Sequence, residues 1–154
     1  MTHKHITVLR KESLVQMIKN APGTRLFNSL IVRHEDTGRV EDVFQDGNLS
    51  CAAFVSSLLT LTTMLSEPRA TVASLRAVIE ESSQWESVDV ANVEPGDVVF
   101  WATQRFDNGE DHAHVGFVLN SEEAVSTDYK VRAVAKHPLV GTRVIDAVFR
   151  YRVI

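Results

Sequence analysis

The sequence predicts an α+β domain in which helices come first and an antiparallel sheet follows. Up to residue 81, three segments carry apolar residues at helical spacing, and from Trp85 onward short β-branched and aromatic runs alternate with turn signals. Helices followed by strands in this order predict a sheet with helices packed on one face. The 154 residues, 44% of them hydrophobic, are enough for one core, so residues 1–154 are predicted to form a single domain.

The helices are predicted from apolar periodicity and from the residues that stop them. The first ends before Pro22 and Gly23, and the second is interrupted by Pro68, because proline cannot continue a helix. Between these helices a hairpin is expected, with its turn at residues 35–38. The predicted helices span residues 12–20, 50–65 and 71–81, and the hairpin strands span 26–32 and 40–44.

The strands of the second half are predicted from apolar runs bounded by turns. Residues 94–97, Glu-Pro-Gly-Asp, form a turn signal before the first run, and a polar loop at 105–111 separates the first run from the second. The predicted strands span residues 98–101, 114–119, 123–128 and 143–153. Their order predicts an antiparallel meander.

Charge and hydropathy exclude several kinds of partner. The 16 basic and 20 acidic residues give a net charge of −4 without a basic run, so nucleic acid is not expected as a partner. No stretch approaches the roughly 20 apolar residues that a membrane span needs, and the first residues lack the apolar run of a signal peptide. The sequence therefore predicts a cytoplasmic protein with no membrane partner.

The only cysteine, Cys51, stands at a predicted helix start. Asn48 or Ser50 is expected to cap the free amides of the first helical turn. The partial positive charge of a helix N-terminus favours the thiolate, which is the nucleophilic form, so a lowered thiol pKa is expected. The alternative is that Cys51, lying between Leu49 and Phe54, only fills space in the core.

A nucleophilic thiolate needs an imidazole to accept its proton, and His114 is the candidate base. It stands 63 positions after Cys51, at the predicted start of a strand. A histidine at a strand end that faces a helix N-terminus could hold the thiolate and later protonate the leaving group. We expect the Cys51 thiol and the His114 ring to lie within about hydrogen-bond reach of each other.

Three motifs in order resemble those of the NlpC-type cysteine peptidases, a papain-like superfamily that includes the CHAP amidases. They are Cys-Ala-Ala-Phe-Val at 51–55, Glu-Pro-Gly-Asp-Val-Val-Phe-Trp at 94–101 and His-Val-Gly-Phe-Val at 114–118. The resemblance implies a papain-like fold, with the nucleophile-bearing helix packed against an antiparallel sheet. It also implies a thiol hydrolase that needs no cofactor and cleaves an amide bond, as in a cell-wall stem peptide. Ser50 and Ala52 stand where relatives usually have aspartate and serine, which puts the stem-peptide substrate in doubt.

The resemblance implies a third polar residue that orients His114, in the following strand. Counting along that strand places Ser126 where relatives often have histidine or asparagine. Asp128 shares the strand parity of Ser126 and could supply a carboxylate. His137 could reach in from the loop that is expected after this strand. Ser126 and Asp128 rank level, and His137 ranks third.

An oxyanion hole is expected beside the nucleophile. The backbone amide of Cys51 is one donor, and Gln45 stands six residues before it, at the offset where papain-like proteases place a glutamine. The turn-forming residues 46–48 could fold the Gln45 amide back over the thiol. Asn48 is the nearer substitute.

Two other functional classes remain open on the sequence. One is a hydrolase-like domain that has lost activity and binds a peptide or a protein partner, because the residues around Cys51 depart from the family pattern. The other is a metal-binding domain built on His112 and His114, with Glu110, Asp111 or Glu122 as further ligands. We rank the metal site below the other readings, because its remaining ligands must come from loops.

Overall fold

A computed structural model describes residues 5–106 and 108–152, and it has the α+β architecture that the sequence predicts. The helices are α1 (Arg10–Asn20), α2 (Cys51–Leu61) and α3 (Val72–Glu81). The strands are β1 (Ile31–Arg33), β2 (Val40–Asp42), β3 (Trp85–Ser87), β4 (Val98–Arg105), β5 (Asp111–Val118), β6 (Glu123–Asp128), β7 (Ala133–Pro138) and β8 (Ile145–Tyr151).

The main sheet is antiparallel and has six strands in the order β3-β8-β4-β5-β6-β7. Strands β4, β5 and β6 follow one another as a meander, as predicted, and β7, which was not predicted, continues it. The predicted closing strand, β8, does not extend this meander. The chain then crosses back, so that β8 pairs with the free side of β4 and carries the short strand β3 at the outer edge. The two remaining strands, β1 and β2, form a separate hairpin before α2.

Side-chain alternation gives the main sheet two different faces. One face packs against the helices, and its cluster includes Leu14, Phe54 and Leu75 from the helices with Phe100 and Phe117 from the sheet. The opposite face carries a smaller cluster: Val99, Trp101, Val118, Ala124, Leu139 and Val148. Successive residues of a strand point to opposite faces, so β4 and β5 contribute to both clusters. The cleft described below draws residues from both sides.

Strands β5 and β6 pair over only a short part of their length. Their pairing is confined to Phe117 opposite Val125 and Val118 opposite Ala124. The strands pass closely at Gly116, where an added Cβ would lie 2.8 Å from the Cβ of Ser126. The residues of β5 that precede Gly116 have a backbone edge that is not paired with β6. Helix α2 packs against both strands, and its first residue reaches this open edge.

The strands that the sequence analysis missed are the two edges of the main sheet. Edge strands β3 and β7 pair on one side only and carry polar residues, so neither has a continuous apolar run. By contrast, β6 has the predicted bounds. Helix α2 ends at Leu61 rather than Leu65, and Thr63 adopts a positive φ of 60° just beyond it. The predicted end of the last strand, Val153, lies outside the described residues.

The turn before β4 is anchored by a buried carboxylate. Asp97 is 1% exposed, and its two oxygens accept hydrogen bonds of 2.9 and 2.7 Å from Arg150 on β8. One of these oxygens also accepts from the backbone amide of Glu94 at 2.8 Å. The backbone of this turn pairs with Val118 at the end of β5. Asp97 thus ties together the three central strands β8, β4 and β5.

No described helix is both long and apolar enough to cross a membrane.

The Asp97–Arg150 pair generates a stability prediction. Asp97→Asn keeps the shape of the side chain but removes the anion that Arg150 contacts, so the free energy of unfolding should fall by about 2–3 kcal/mol. The control is Asp146→Asn, because Asp146 pairs with Arg76 where both side chains are partly exposed. That change should cost less than about 1 kcal/mol. Urea denaturation of both variants measures the difference, and equal losses would contradict the anchoring role.

Candidate active site

A cleft with a volume of about 1070 Å³ contains both residues of the predicted pair. Cys51 reaches it from the start of α2, and His114 from β5. Ser126 and His137 line the same cleft from the next two strands. Alternation along the strands puts His114, Ser126 and His137 on the face away from the helices. Cys51 belongs to the helix-side core and also lines the cleft.

Cys51 lies in the first turn of α2, as predicted, and is its first residue, one position after the predicted start at Ser50. The residue before it, Ser50, occupies the N-cap position but makes no side-chain capping bond, and its hydroxyl instead donates to the Gly47 carbonyl at 3.4 Å. The expected cap by Asn48 or Ser50 is therefore wrong. The amides of the first turn carry no side-chain cap, and those of Cys51 and Ala52 act to lower the pKa of the thiol.

The predicted lowering of the thiol pKa is wrong. Burial raises the pKa of Cys51, since the side chain is only 9% exposed and the thiolate would lose its hydration. The amides of Val115, Ala52 and Cys51 and the charge of Arg143 act in the opposite direction. Desolvation is the largest of these effects. In the protein without substrate, Cys51 is thus a neutral thiol.

His114 is the fourth residue of β5 rather than its first, because the strand begins at Asp111 within the predicted loop. Its ring atom Nε2 lies 2.8 Å from the Ser126 hydroxyl. Among the described residues no hydrogen bond joins the ring to the Cys51 thiol, although both side chains line the same cleft. The ring contacts Ser126 through Nε2, so this contact does not involve Nδ1.

A chain of hydrogen bonds sets the protonation of both imidazoles. His137 Nδ1 lies 3.0 Å from the Pro138 carbonyl, which can only accept, so Nδ1 carries the proton. In a neutral ring, Nε2 of His137 must then accept, and Ser126 Oγ donates to it at 2.6 Å. The Ser126 oxygen in turn accepts from Nε2–H of His114. This leaves His114 Nδ1 with a free lone pair, which is the form that a general base requires.

Trp101 forms the floor beneath both rings. Its indole centroid lies 5.3 Å from the His114 ring and 5.4 Å from the His137 ring, and its N–H donates to the Leu139 carbonyl at 3.2 Å. Gly116 lets Trp101 and Ser126 come close, since a Cβ there would lie 3.0 Å from the Trp101 ring. Packing and hydrogen bonding therefore hold the histidines together.

Burial lowers the pKa of His114 to about 3, and the charges of Arg143 and His137 add to this effect. The ring is in a low-dielectric environment where its cationic form loses hydration. His114 is therefore neutral throughout the physiological pH range. Together with the neutral thiol, this gives an uncharged pair instead of the thiolate–imidazolium pair that the sequence led us to expect.

The structure separates the candidates for the third residue. Ser126 contacts His114 directly, and His137 contacts Ser126 from strand β7 and not from a loop. Asp128 lines the cleft but accepts from the backbone amide of Lys130 at 2.8 Å. The geometry thus favours Ser126 with His137 over Asp128, although the sequence ranked His137 below both.

Gln45 lies on an exposed turn, where its backbone has a positive φ of 51°. Its side-chain oxygen accepts from Asn48 Nδ2 at 2.9 Å, and Asn48 rather than Gln45 lines the cleft. The fold-back of the Gln45 amide over the thiol is not formed. Of the two predicted side-chain donors, Asn48 is the one near the cleft, and its amide is bonded to Gln45.

The metal-binding alternative finds no support in the geometry. Within residues 5–106 and 108–152, no three His, Cys, Asp or Glu side chains gather in an arrangement that could hold a metal ion. His112 contacts Glu110 at 3.2 Å and the ring of Phe106, whose centroid is 4.7 Å away. His114 is bonded to Ser126 instead.

Sequence reasoning missed Arg143, Phe106 and Tyr129, all of which line the cleft. Phe106 packs against Tyr129, with ring centroids 5.3 Å apart, and Arg143 lies over Phe106. Arg143 was placed inside the last predicted strand, but the strand begins two residues later at Ile145. No local pattern marks these residues, because they meet only when the ends of β4, β6 and β8 come together.

No family model matches the chain, and no curated protein matches it significantly. The resemblance to NlpC-type peptidases therefore remains a prediction from the motifs.

The lowered pKa of His114 predicts an acid-sensitive fold. An unfolded histidine titrates near 6.5, so between about pH 6.5 and 3 the unfolded chain binds more protons at this residue, and stability falls as pH decreases. Between pH 7.5 and 5, this residue should cost about 1–2 kcal/mol of the unfolding free energy. Urea denaturation at both pH values should show a smaller loss in His114→Gln than in the wild type. Equal losses would mean that His114 titrates normally.

Proposed function

We propose that this protein is a papain-like thiol hydrolase of the NlpC type that cleaves an amide bond in a peptide. Cys51 is the nucleophile and His114 is the base. The observation that carries the proposal is the chain from the Pro138 carbonyl through His137 and Ser126, which leaves the lone pair on His114 Nδ1. A cysteine at a helix start and an antiparallel sheet with the histidine on a central strand are consistent with a papain-like fold.

The reaction begins from a neutral thiol and a neutral imidazole. As the Cys51 sulfur attacks the carbonyl carbon of the amide, its proton passes to His114 Nδ1 and the carbonyl oxygen gains negative charge. Ser126 accepts from the opposite nitrogen and stabilises the imidazolium that forms. Formation of the S–C bond to the substrate offsets the free-energy cost of deprotonating a buried thiol. A preformed thiolate–imidazolium pair is therefore not required.

The second half returns the proton. The imidazolium protonates the amide nitrogen, the C–N bond breaks, and the amine leaves a thioester on Cys51. Water then gives a proton to neutral His114 and attacks the thioester, which releases the carboxylic acid and restores the thiol. The uncapped amide of Cys51 is suited to hold the oxyanion in both steps.

The substrate is proposed as a peptide amide, with a cell-wall stem peptide as one member of that class. Ser50 is buried with its hydroxyl on Gly47, and Ala52 has no polar group, so neither offers the contacts that relatives make at these positions.

A second candidate function is a binding domain without activity. It is favoured by the burial of the Cys51 thiol and by the missing hydrogen bond to His114. On this reading a peptide lies in the cleft and is released intact. Substrate cleavage distinguishes the two.

Amide cleavage is tested with purified protein and a mixture of linear peptides and cell-wall stem peptides, with products identified by mass spectrometry. Cys51→Ala should abolish cleavage, and His114→Ala should reduce kcat at least about a hundredfold because the thiol loses its proton acceptor. Cleavage that persists in Cys51→Ala would come from another source and contradict the proposal. Binding of peptides that remain uncleaved by the wild type would support the binding domain.

The orienting role of Ser126 is tested against its neighbour on the same face. Ser126→Ala should lower kcat by about tenfold to a hundredfold with little change in KM, because His114 loses the contact that selects its tautomer. Asp128→Asn should leave kcat within about twofold, since Asp128 makes no contact with His114. The reverse result would assign the orienting role to Asp128.

A further inference from the structure

Arg143 is a cation inside the cleft that holds Cys51 and His114. It precedes β8 and is partly buried, and one nitrogen donates a long hydrogen bond of 3.4 Å to the His112 carbonyl. The Phe106 ring covers the guanidinium, with 5.6 Å between the guanidinium carbon and the ring centroid. Its charge lowers the pKa of both the Cys51 thiol and the His114 ring.

This guanidinium differs from the other partly buried arginines. Arg69, Arg76 and Arg150 each pair with at least one carboxylate. Among the ion pairs of residues 5–106 and 108–152, none includes Arg143. The two aspartates of the cleft, Asp111 and Asp128, are not paired with it. Burial without a carboxylate is costly for a cation, and it lowers the pKa of Arg143.

We propose that Arg143 binds a carboxylate of the substrate, so that the preferred substrates are amides with a carboxylate a few bonds from the scissile carbonyl. The proposal rests on the proposed hydrolase function for its substrate class, but the anion site itself does not. A guanidinium presents planar paired donors that match a carboxylate, and Arg143 lies over the Phe106 ring. The carboxylate would offset the desolvation of Arg143.

A bound carboxylate would also assist the proton transfer. The Arg143 charge disfavours a second positive charge on His114, and the imidazolium forms during the reaction. Neutralising Arg143 with a substrate anion removes that repulsion when His114 must accept the proton. The other cations that line the cleft, Arg105 and Lys130, are exposed. Arg143 is therefore the cation whose pairing affects the base most directly.

Alkylation of Cys51 tests the anion site without a known substrate. Iodoacetate and iodoacetamide react with the same thiol, but iodoacetate carries a carboxylate where iodoacetamide carries an amide. The rate constant for iodoacetate divided by that for iodoacetamide is therefore independent of changes in thiol reactivity. The ratio is measured at pH 8, where even an ordinary histidine is neutral. We expect Arg143→Gln to lower it by about tenfold, as for the loss of a charge-assisted hydrogen bond, and Arg143→Lys to retain part of it.

The control variant is Arg33→Gln, which removes the same charge from an exposed site on β1 outside the cleft. The Arg33→Gln variant should keep the wild-type ratio of rate constants. An equal fall of this ratio in both variants would mean that overall charge causes the effect, and it would overturn the proposal. An unchanged ratio in folded Arg143→Gln would also overturn it. If this variant does not fold, acetate should protect wild-type Cys51 from iodoacetamide more than acetamide does, and equal protection would overturn the proposal.

The two proposals can fail separately. A ratio that depends on Arg143 in a protein that cleaves no peptide would support the anion site and reject the hydrolase. Peptide cleavage that depends on Cys51, with a ratio independent of Arg143, would support the hydrolase and reject the anion site.

Discussion

The hydroxyl of Ser126 is the interaction on which the candidate site depends. It is buried between two imidazoles and must donate to one and accept from the other. The direction is set outside the site, by the Pro138 carbonyl, which can only accept a hydrogen bond from His137 Nδ1–H. A serine alone orients an imidazole weakly, because its hydroxyl can rotate. With His137 behind it, the hydroxyl has one favourable orientation, and this fixes the His114 tautomer.

The second constraint is the balance between burial and the helix N-terminus. A helix start stabilises a thiolate through its free amides, and the amides of Cys51 and Ala52 do act to lower the thiol pKa. Desolvation outweighs them, because Cys51 also belongs to the core between the helices and the sheet. The same low dielectric keeps His114 neutral. Without substrate, Cys51 and His114 do not form an ion pair. Charge separates between them only when a substrate occupies the cleft.

Part of this site could be predicted from the sequence and part could not. The helix start at Cys51 and the bounds of β6 follow from local patterns of apolar residues and turn signals. Strand β7 was missed because an edge strand needs no continuous apolar run, and with it the position of His137 was misjudged. Gln45 was chosen by its offset from Cys51, but the positive φ values at Gln45 and Asp46 turn the chain outward.

By itself, the sequence determined the α+β architecture, the helix that begins at Cys51 and the face of β6 that carries Ser126. These features depend on periodicity and on residues close along the chain. Only the tertiary structure decided which groups are neutral and which polar side chains meet. Desolvation depends on what packs around a side chain, and Arg143 and His137 reach the cleft through strand order rather than proximity in sequence. The pattern of residues along the chain contains neither the desolvation of a side chain nor its distant neighbours in the fold.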